Sequence, residues 1–317
     1  MRSRKKLPFS SSRIHSKHKT INWSTYNDTL RNRGRIDFMI SECLSVGWYE
    51  DHDSKRQQGG QRLYSDKAIL ICLQIRCLFW LKLRQTQGFI DYIFMMSGLE
   101  LTCPDYTTLS KRGKALRLDS LLGCHEKISN YICIDSTGIQ TFTGNEWLES
   151  KHGKTYNRRT WKKLHVVTDD NGMIIANSMT SHRKDDRSQF SSLLEGIQAK
   201  EILGDSGYDG ENIYHLSREK GMIPTIRPPN KLAPKKLKTE RKKAIAYQQE
   251  NCYHAWRNKT KYGRREQVEN TFYRFKTSFG SQFLSRDEEN MKNELIIKCQ
   301  LLNRMFEIGK PISVRAS

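Results

Sequence analysis

Apolar residues recur at three- and four-residue intervals from Trp23 to Trp48, again at Ala68, Ile69, Cys72, Ile75 and Phe79, and once more between Gln85 and Met96. That spacing lays apolar side chains along one face of a helix, so three helices are expected here. Ser65 is placed to cap the second and Gly98 to end the third. Asp105 is placed to cap a fourth, whose outer face carries Lys111, Arg112, Lys114 and Arg117. Between the first two, the Gln57 to Gln61 run reads as a flexible break. From Tyr131 the period changes to two. Strands are expected over Tyr131 to Asp135, Trp161 to Thr168, Met173 to Met179, Glu201 to Asp205 and Met222 to Arg227, with helices at Arg187 to Ile197 and Glu211 to Lys220. Asp185 and Asp186 read as caps of the helix that follows them. Helical spacing returns from Thr239 to Gln249, from Tyr262 onward, and from Glu289 to Ile308. A run of helices followed by mixed strands and helices is an α/β pattern.

The stretch from Tyr262 to Lys276 has the most specific pattern. On a helix, Tyr262, Arg265, Glu269 and Lys276 fall within roughly 60° of one another, while Val268, Phe272, Phe275 and Phe279 form an adjoining apolar stripe. An amphipathic helix with a solvated charged face would show the same stripes. The spacing of Tyr, Arg, Glu and Lys, however, resembles the signature of a large group of bacterial insertion-sequence transposases, in which the Glu closes an Asp-Asp-Glu triad. That resemblance implies two upstream aspartates at strand ends. Asp135 and Asp205 each follow a short apolar run, 70 residues apart, with Glu269 another 64 residues on.

Further blocks carry the resemblance across roughly Ile21 to Pro311: Asn22-Trp23, Tyr64-Ser65-Asp66, Leu83 to Phe89, Pro104 to Ser110, Asp135-Ser136-Thr137-Gly138, Lys151-His152-Gly153, Trp161 to His165, Gly204 to Asp209 and Leu302 to Met305. Together they look like the insertion-sequence-five family of DDE transposases. The resemblance implies a ribonuclease-H-like mixed sheet with flanking helices, preceded by an all-α N-terminal domain. It further implies binding to the terminal inverted repeats of a mobile element, cleavage at the element ends, and joining of the freed 3′-hydroxyls to target DNA. By the same resemblance Tyr262, Arg265 and Lys276 would grip the DNA end. Three carboxylates, Asp135, Asp205 and Glu269, are a sufficient hard-oxygen donor set for two Mg²⁺ ions, with Mn²⁺ able to substitute.

Charge agrees with a nucleic-acid partner. Fifty-five Lys and Arg against 34 Asp and Glu leave a formal charge of +21, which calls for a polyanion. The most apolar stretch, Ala68 to Leu83, is interrupted by Gln74, Arg76 and Lys82 and is too short to span a membrane. No apolar core follows the basic N-terminus, so a cytoplasmic, nucleoid-associated bacterial protein is expected. The eight cysteines are scattered, with no Cys-x-x-Cys pair, and read as free thiols.

The expected organisation is a basic mobile arm at 1–20, a helical domain at 21–125, a catalytic domain at 126–310 with a basic insert at 230–261, and a tail at 311–317. Two helices followed by a basic third suggest a helix-turn-helix reading DNA through Lys111 and Arg112, against the alternative of a plain helical bundle. A homodimer is expected in the working complex with double-stranded DNA. His152 and His165 read as structural or DNA-contacting, Asp209 as a turn residue, and Glu266 as off the triad's stripe. A junction-resolving nuclease, an inactive transposase-derived DNA binder and a basic RNA-binding protein are the rival readings. The Tyr-Arg-Lys companions and the three carboxylates stand against them.

Overall fold

The computed structural model describes residues 18–35, 47–50, 62–118, 122, 128–141, 161–229 and 238–315. The arm up to residue 17, the Gln57 to Gln61 break, the Lys151-His152-Gly153 block, the first part of the basic insert, Cys43 and Cys124 lie outside these residues.

The architecture is mixed α/β, built on a five-stranded mixed sheet. Its strands are β2 (Ile132–Gln140), β3 (Trp161–Thr168), β4 (Ile174–Ser181), β5 (Glu201–Gly204) and β6 (Ile223–Ile226), in the order β4-β3-β2-β5-β6. β2, β3 and β4 form an antiparallel meander, whereas β5 runs parallel to both β2 and β6. The period-two pattern gives the sheet two apolar faces. Ile132, Ile134, Val167, Ile202 and Ile226 pack on one side beneath α5 (Phe190–Leu193) and α6 (Glu211–Glu219). Cys133, Leu164, Val166 and Leu203 face the other way, into a larger core.

That larger core crosses the expected boundary at residue 125. α1 (Trp23–Arg33), α2 (Asp66–Leu78), α3 (Leu83–Met96) and α4 (Tyr106–Ala115) precede the sheet, and α7 (Glu240–Lys259), α8 (Glu266–Phe279) and α9 (Glu288–Ile308) follow it. Ile69, Cys72 and Ile75 of α2 share one buried cluster with Phe275 and Phe279 of α8 and Leu295, Cys299 and Leu302 of α9. Buried charges occur at this junction. Lys298 pairs with Glu294 at 2.7 Å, and Glu294 also accepts from the backbone of Leu284 and Ser285. Burial would raise the Glu294 carboxyl, but Lys298, Arg76 and these donors hold it below its ordinary value.

The caps form as the sequence suggests: Ser65 accepts from Ala68 N and Asp105 from Thr107 N. Four elements away from the Tyr262–Lys276 stretch differ. β2 continues five residues past Asp135, because its far half still pairs with β3. The helix expected over Arg187 to Ile197 is only a 3-10 turn at Asp186–Gln189 followed by the single turn of α5. α7 runs to Lys259 through a kink at Cys252, where φ is 65°. The fourth difference concerns the chain's outer segments. His18–Thr20 (β1), expected in the arm, pairs antiparallel with Ser313–Arg315 (β7), expected in the tail. The Asn22 side chain locks the pair by donating to Lys310 O and accepting from Ile312 N.

Among the described residues no helix is long and apolar enough to cross a membrane. The six described cysteines are free, five of them buried.

Candidate active site

β2 and β5 stay in parallel register only as far as Ile134 and Gly204. Beyond that point β2 continues beside β3, while β5 turns into a 3-10 turn at Ser206–Tyr208. The strands separate just where the two aspartates follow, and such a divergence at the carboxyl ends of parallel strands opens a crevice in α/β sheets. Asp135 is therefore a mid-strand residue standing at the end of the parallel pairing. Asp205 caps the 3-10 turn, its Oδ1 accepting from Gly207 N at 2.9 Å.

The third carboxylate comes from α8. Tyr262 to Lys276 is not one helix: Tyr262–Arg265 is a 3-10 turn, after which α8 begins. Two contacts fix this turn to β5. Arg264 pairs with Glu201 at 2.8 Å at the start of the strand, and Tyr262 donates its hydroxyl to Gly204 O at 3.0 Å at its end. Arg265 then points over the crevice. Its Nη1 donates to Asp135 Oδ2 at 2.6 Å and its Nη2 to Glu269 Oε1. Burial works against the Arg265 charge, but Tyr262, Asp135, Glu269 and Asp205 together hold its pKa above the ordinary value. Burial dominates at Asp135 and pushes its carboxyl up to about 6, with Asp205 adding to the rise and Arg265 opposing it.

These are hard-oxygen donors, and their negative charge already draws a cation in the form of Arg265. The set therefore suits a hard divalent ion. It is not a ready cage: among the described residues no three acidic, His or Cys side chains stand close enough to hold an ion, and the guanidinium stands between two of the three.

Not every expected contact faces solvent. Tyr262 is 3% exposed and packs on Trp256, so in this structure it supports the strand before Asp205 instead of presenting itself to DNA. Arg112 is turned inward, with Nη1 on Tyr64 O at 2.9 Å and Nη2 on Asp66 Oδ1 at 2.6 Å. Lys111, one residue earlier, is exposed. It lines a groove of about 460 Å³ with Lys82, Arg84 and Tyr106, where the Arg84 guanidinium stacks over the Tyr106 ring. Lys276 is half-buried.

The neighbouring carboxylates separate cleanly. Glu266 pairs with Arg257, away from Asp135. Asp209 is more than a turn residue: nearly buried, it receives Arg241 Nε at 2.7 Å and so ties α7 to the turn after Asp205. His165 is fully buried, its Nε2 2.8 Å from Thr180 Oγ1, and burial holds it below its ordinary value. It is a structural residue. Asp185 caps the 3-10 turn as expected, accepting from Arg187 N. Asp186 does not. It bonds Ser136 and Lys163 beside the crevice, and nothing in an Asp-Asp pair before a helix signals that.

Residues 128–304, more than half of the chain, match the family described as Transposase DDE domain, and residues 31–144 match a second family of the same description. The chain belongs to the DDE transposase family. The protein is thus an enzyme of DNA strand cleavage and strand transfer, in a family that uses divalent metal ions. Among solved structures, the transposase is similar to one described as the cryo-EM structure of the piggyBac transposase synaptic complex with hairpin DNA. The match has 9% identity over 90% of this chain and 76% of that one, with a TM-score of 0.39.

Proposed function

We propose that this enzyme is a transposase of the insertion-sequence-five group that binds the terminal inverted repeats of its element, cleaves at the element ends and joins the 3′-hydroxyls to target DNA. Asp135, Asp205 and Glu269 would hold two Mg²⁺ ions. When bound, such ions activate the attacking oxygen and stabilise the leaving one. The observation that supports this most is the Arg265 guanidinium, which draws Asp135 of the sheet and Glu269 of α8 to one point beside the strand tip bearing Asp205.

The chain's own residues divide the remaining work. Arg265 can move from the carboxylates to a DNA phosphate once metal supplies the positive charge, and a guanidinium grips phosphate through two parallel bonds. Lys276 lies two helical turns beyond Glu269 and adds a point charge along the same helix. Lys111, Lys82 and Arg84 are the DNA-facing cations of a helical N-terminal domain. Arg112 and Tyr262 act by holding structure. The meander, the parallel β5 and β6, and α8 support a ribonuclease-H-like arrangement. A homodimer at paired element ends and a cytoplasmic, nucleoid-associated location complete the proposal.

The test is a nicking assay with Mg²⁺ on DNA carrying the element's ends. Asp135→Ala, Asp205→Ala and Glu269→Ala should each abolish cleavage with DNA binding retained, while Glu266→Ala keeps substantial activity. Full cleavage by any of the three removes that carboxylate from the assignment.

A further inference from the structure

Asp186 follows the capping Asp185 and directs its side chain toward the strand tips. Its Oδ2 accepts from Ser136 Oγ at 2.9 Å, and its Oδ1 accepts from Lys163 Nζ at 2.7 Å. Lys163 is itself anchored by donating to Lys184 O at 3.0 Å. The Asp186 side chain is 18% exposed, so these bonds form largely out of water.

One bonded partner of this carboxylate, Ser136, and one neighbour, Gly207, lead to the triad. Ser136 directly follows Asp135, and its backbone N–H donates to Asp135 Oδ1 at 2.8 Å. On the other side lies Gly207, whose N–H holds Asp205. A Cβ at Gly207 would stand 3.0 Å from Asp205 Oδ1 and 3.6 Å from Asp186 Oδ2. Both carboxylates thus border the space that a side chain at Gly207 would fill, and Lys163, bonded to Asp186, offsets their repulsion.

We propose that Asp186 is a positioning residue: by holding Ser136 and closing over Gly207, it sets the separation of the Asp135 and Asp205 side chains and thereby the affinity of the DNA-free enzyme for a divalent ion. This rests on the reading of Asp135 and Asp205 as ion-holding residues. Asp186 bonds neighbours of the ion-holding groups without joining them, and residues so placed around metal sites set ligand orientation and affinity.

The experiment is Mn²⁺ binding to the full chain without DNA, followed by titration calorimetry, with thermal unfolding of each variant recorded alongside. Asp186→Ala should weaken Mn²⁺ binding about tenfold, the lower end for removing an outer partner of a metal ligand. Ser136→Ala removes only a hydroxyl, so it decides the matter if Asp186→Ala does not fold. It should weaken binding in the same direction, and the double variant should be no weaker than Asp186→Ala alone, because the two share one link. Gly207→Ala should also weaken binding by crowding Asp205.

Wild-type affinity in both Asp186→Ala and Ser136→Ala, with Asp205→Ala unable to bind, overturns the inference and leaves the ion site standing. Wild-type affinity in Asp205→Ala takes down the ion site and the inference with it. If Lys163→Ala restores full affinity to Asp186→Ala, the loss came from an unpaired ammonium, and positioning is excluded.

Discussion

The hydroxyl of Tyr262 donates to the carbonyl of Gly204 at 3.0 Å, one residue before Asp205. A side chain expected to grip DNA is thereby the bolt between the start of the Glu269 helix and the strand that delivers the second aspartate.

Tyr262→Phe removes that bond and leaves Gly204 O with only the Arg227 N–H, which it accepts at 3.1 Å. We expect a loss of about 1 kcal/mol in unfolding free energy, together with slower cleavage and DNA affinity within about twofold of wild type. Chemical denaturation, gel shift and nicking measured on the same preparation check this. Weaker DNA binding at unchanged stability would return Tyr262 to the DNA interface.

The raised Asp135 carboxyl has a stability consequence in the metal-free protein. Its folded pKa, about 6, exceeds the ordinary unfolded value, so the folded state binds the proton more tightly. The resulting stabilisation is complete below the unfolded pKa and is lost as pH rises through about 6. Asp135→Asn removes the buried charge, so it should be the more stable protein at pH 7.5, by about 1–3 kcal/mol, with the difference closing toward pH 4. Melting curves in chelator across this range measure it. A gap that widens on acidification would show the carboxylate to be stabilised by its surroundings.

Adjacent residues of α4 should behave oppositely. Arg112→Ala deletes contacts to Tyr64 O and Asp66 and should cost about 1–2 kcal/mol in stability. Lys111→Ala should leave stability unchanged, weaken DNA binding, and reduce the salt dependence by about one phosphate contact. Parallel melts and binding isotherms at several salt concentrations separate the two. Equal salt slopes for wild type and Lys111→Ala would remove Lys111 from the interface.

Asp209→Ala leaves Arg241 without its nearly buried partner and frees the end of α7 from the turn after Asp205. Breaking one side of such a pair costs about 3 kcal/mol. Protease cleavage should then appear first within Glu240–Lys259, whereas Glu266→Ala should digest like wild type. A digestion pattern unchanged by Asp209→Ala would mean that α7 is held by other contacts.

Much of this was legible in the residues. The strand pattern locates Trp161 to Thr168 to the residue, and its second half, Leu164 to Thr168, is buried. Ser65 and Asp105 announced their caps, since short polar side chains before apolar-periodic runs have few other uses. Asp135, Asp205 and Glu269 are singled out by the resemblance that the spacing of Tyr262, Arg265, Glu269 and Lys276 carries, whereas the bridging of Asp135 and Glu269 by Arg265 shows only in the fold. What escaped notice depends on tertiary partners. Asp186 reads as a helix cap and Asp209 as a turn residue until β2, β3 and α7 bring Ser136, Lys163 and Arg241 to them. Arg112 and Lys111 are indistinguishable on paper, and only the packing of α4 against α2 decides which turns inward. The helical period runs on to Ile197, but only Phe190–Leu193 is α-helical, and beyond it Glu195 N bonds Ser192 O and Ile197 N bonds Leu194 O in the 3-10 manner.

The shared core of α2, α8 and α9 also bears on how the enzyme is made. During synthesis the N-terminal helices leave the ribosome long before Glu288–Ile308 does, so Ile69, Cys72 and Ile75 wait without the helix that covers them. The groove lined by Lys111 and the carboxylate site therefore reach their finished form together, only after Glu288–Ile308 has emerged. A prematurely ended chain lacking α9 keeps the basic α4 but not the packing that sets it in place, and is a substrate for proteases before it is a competitor for DNA.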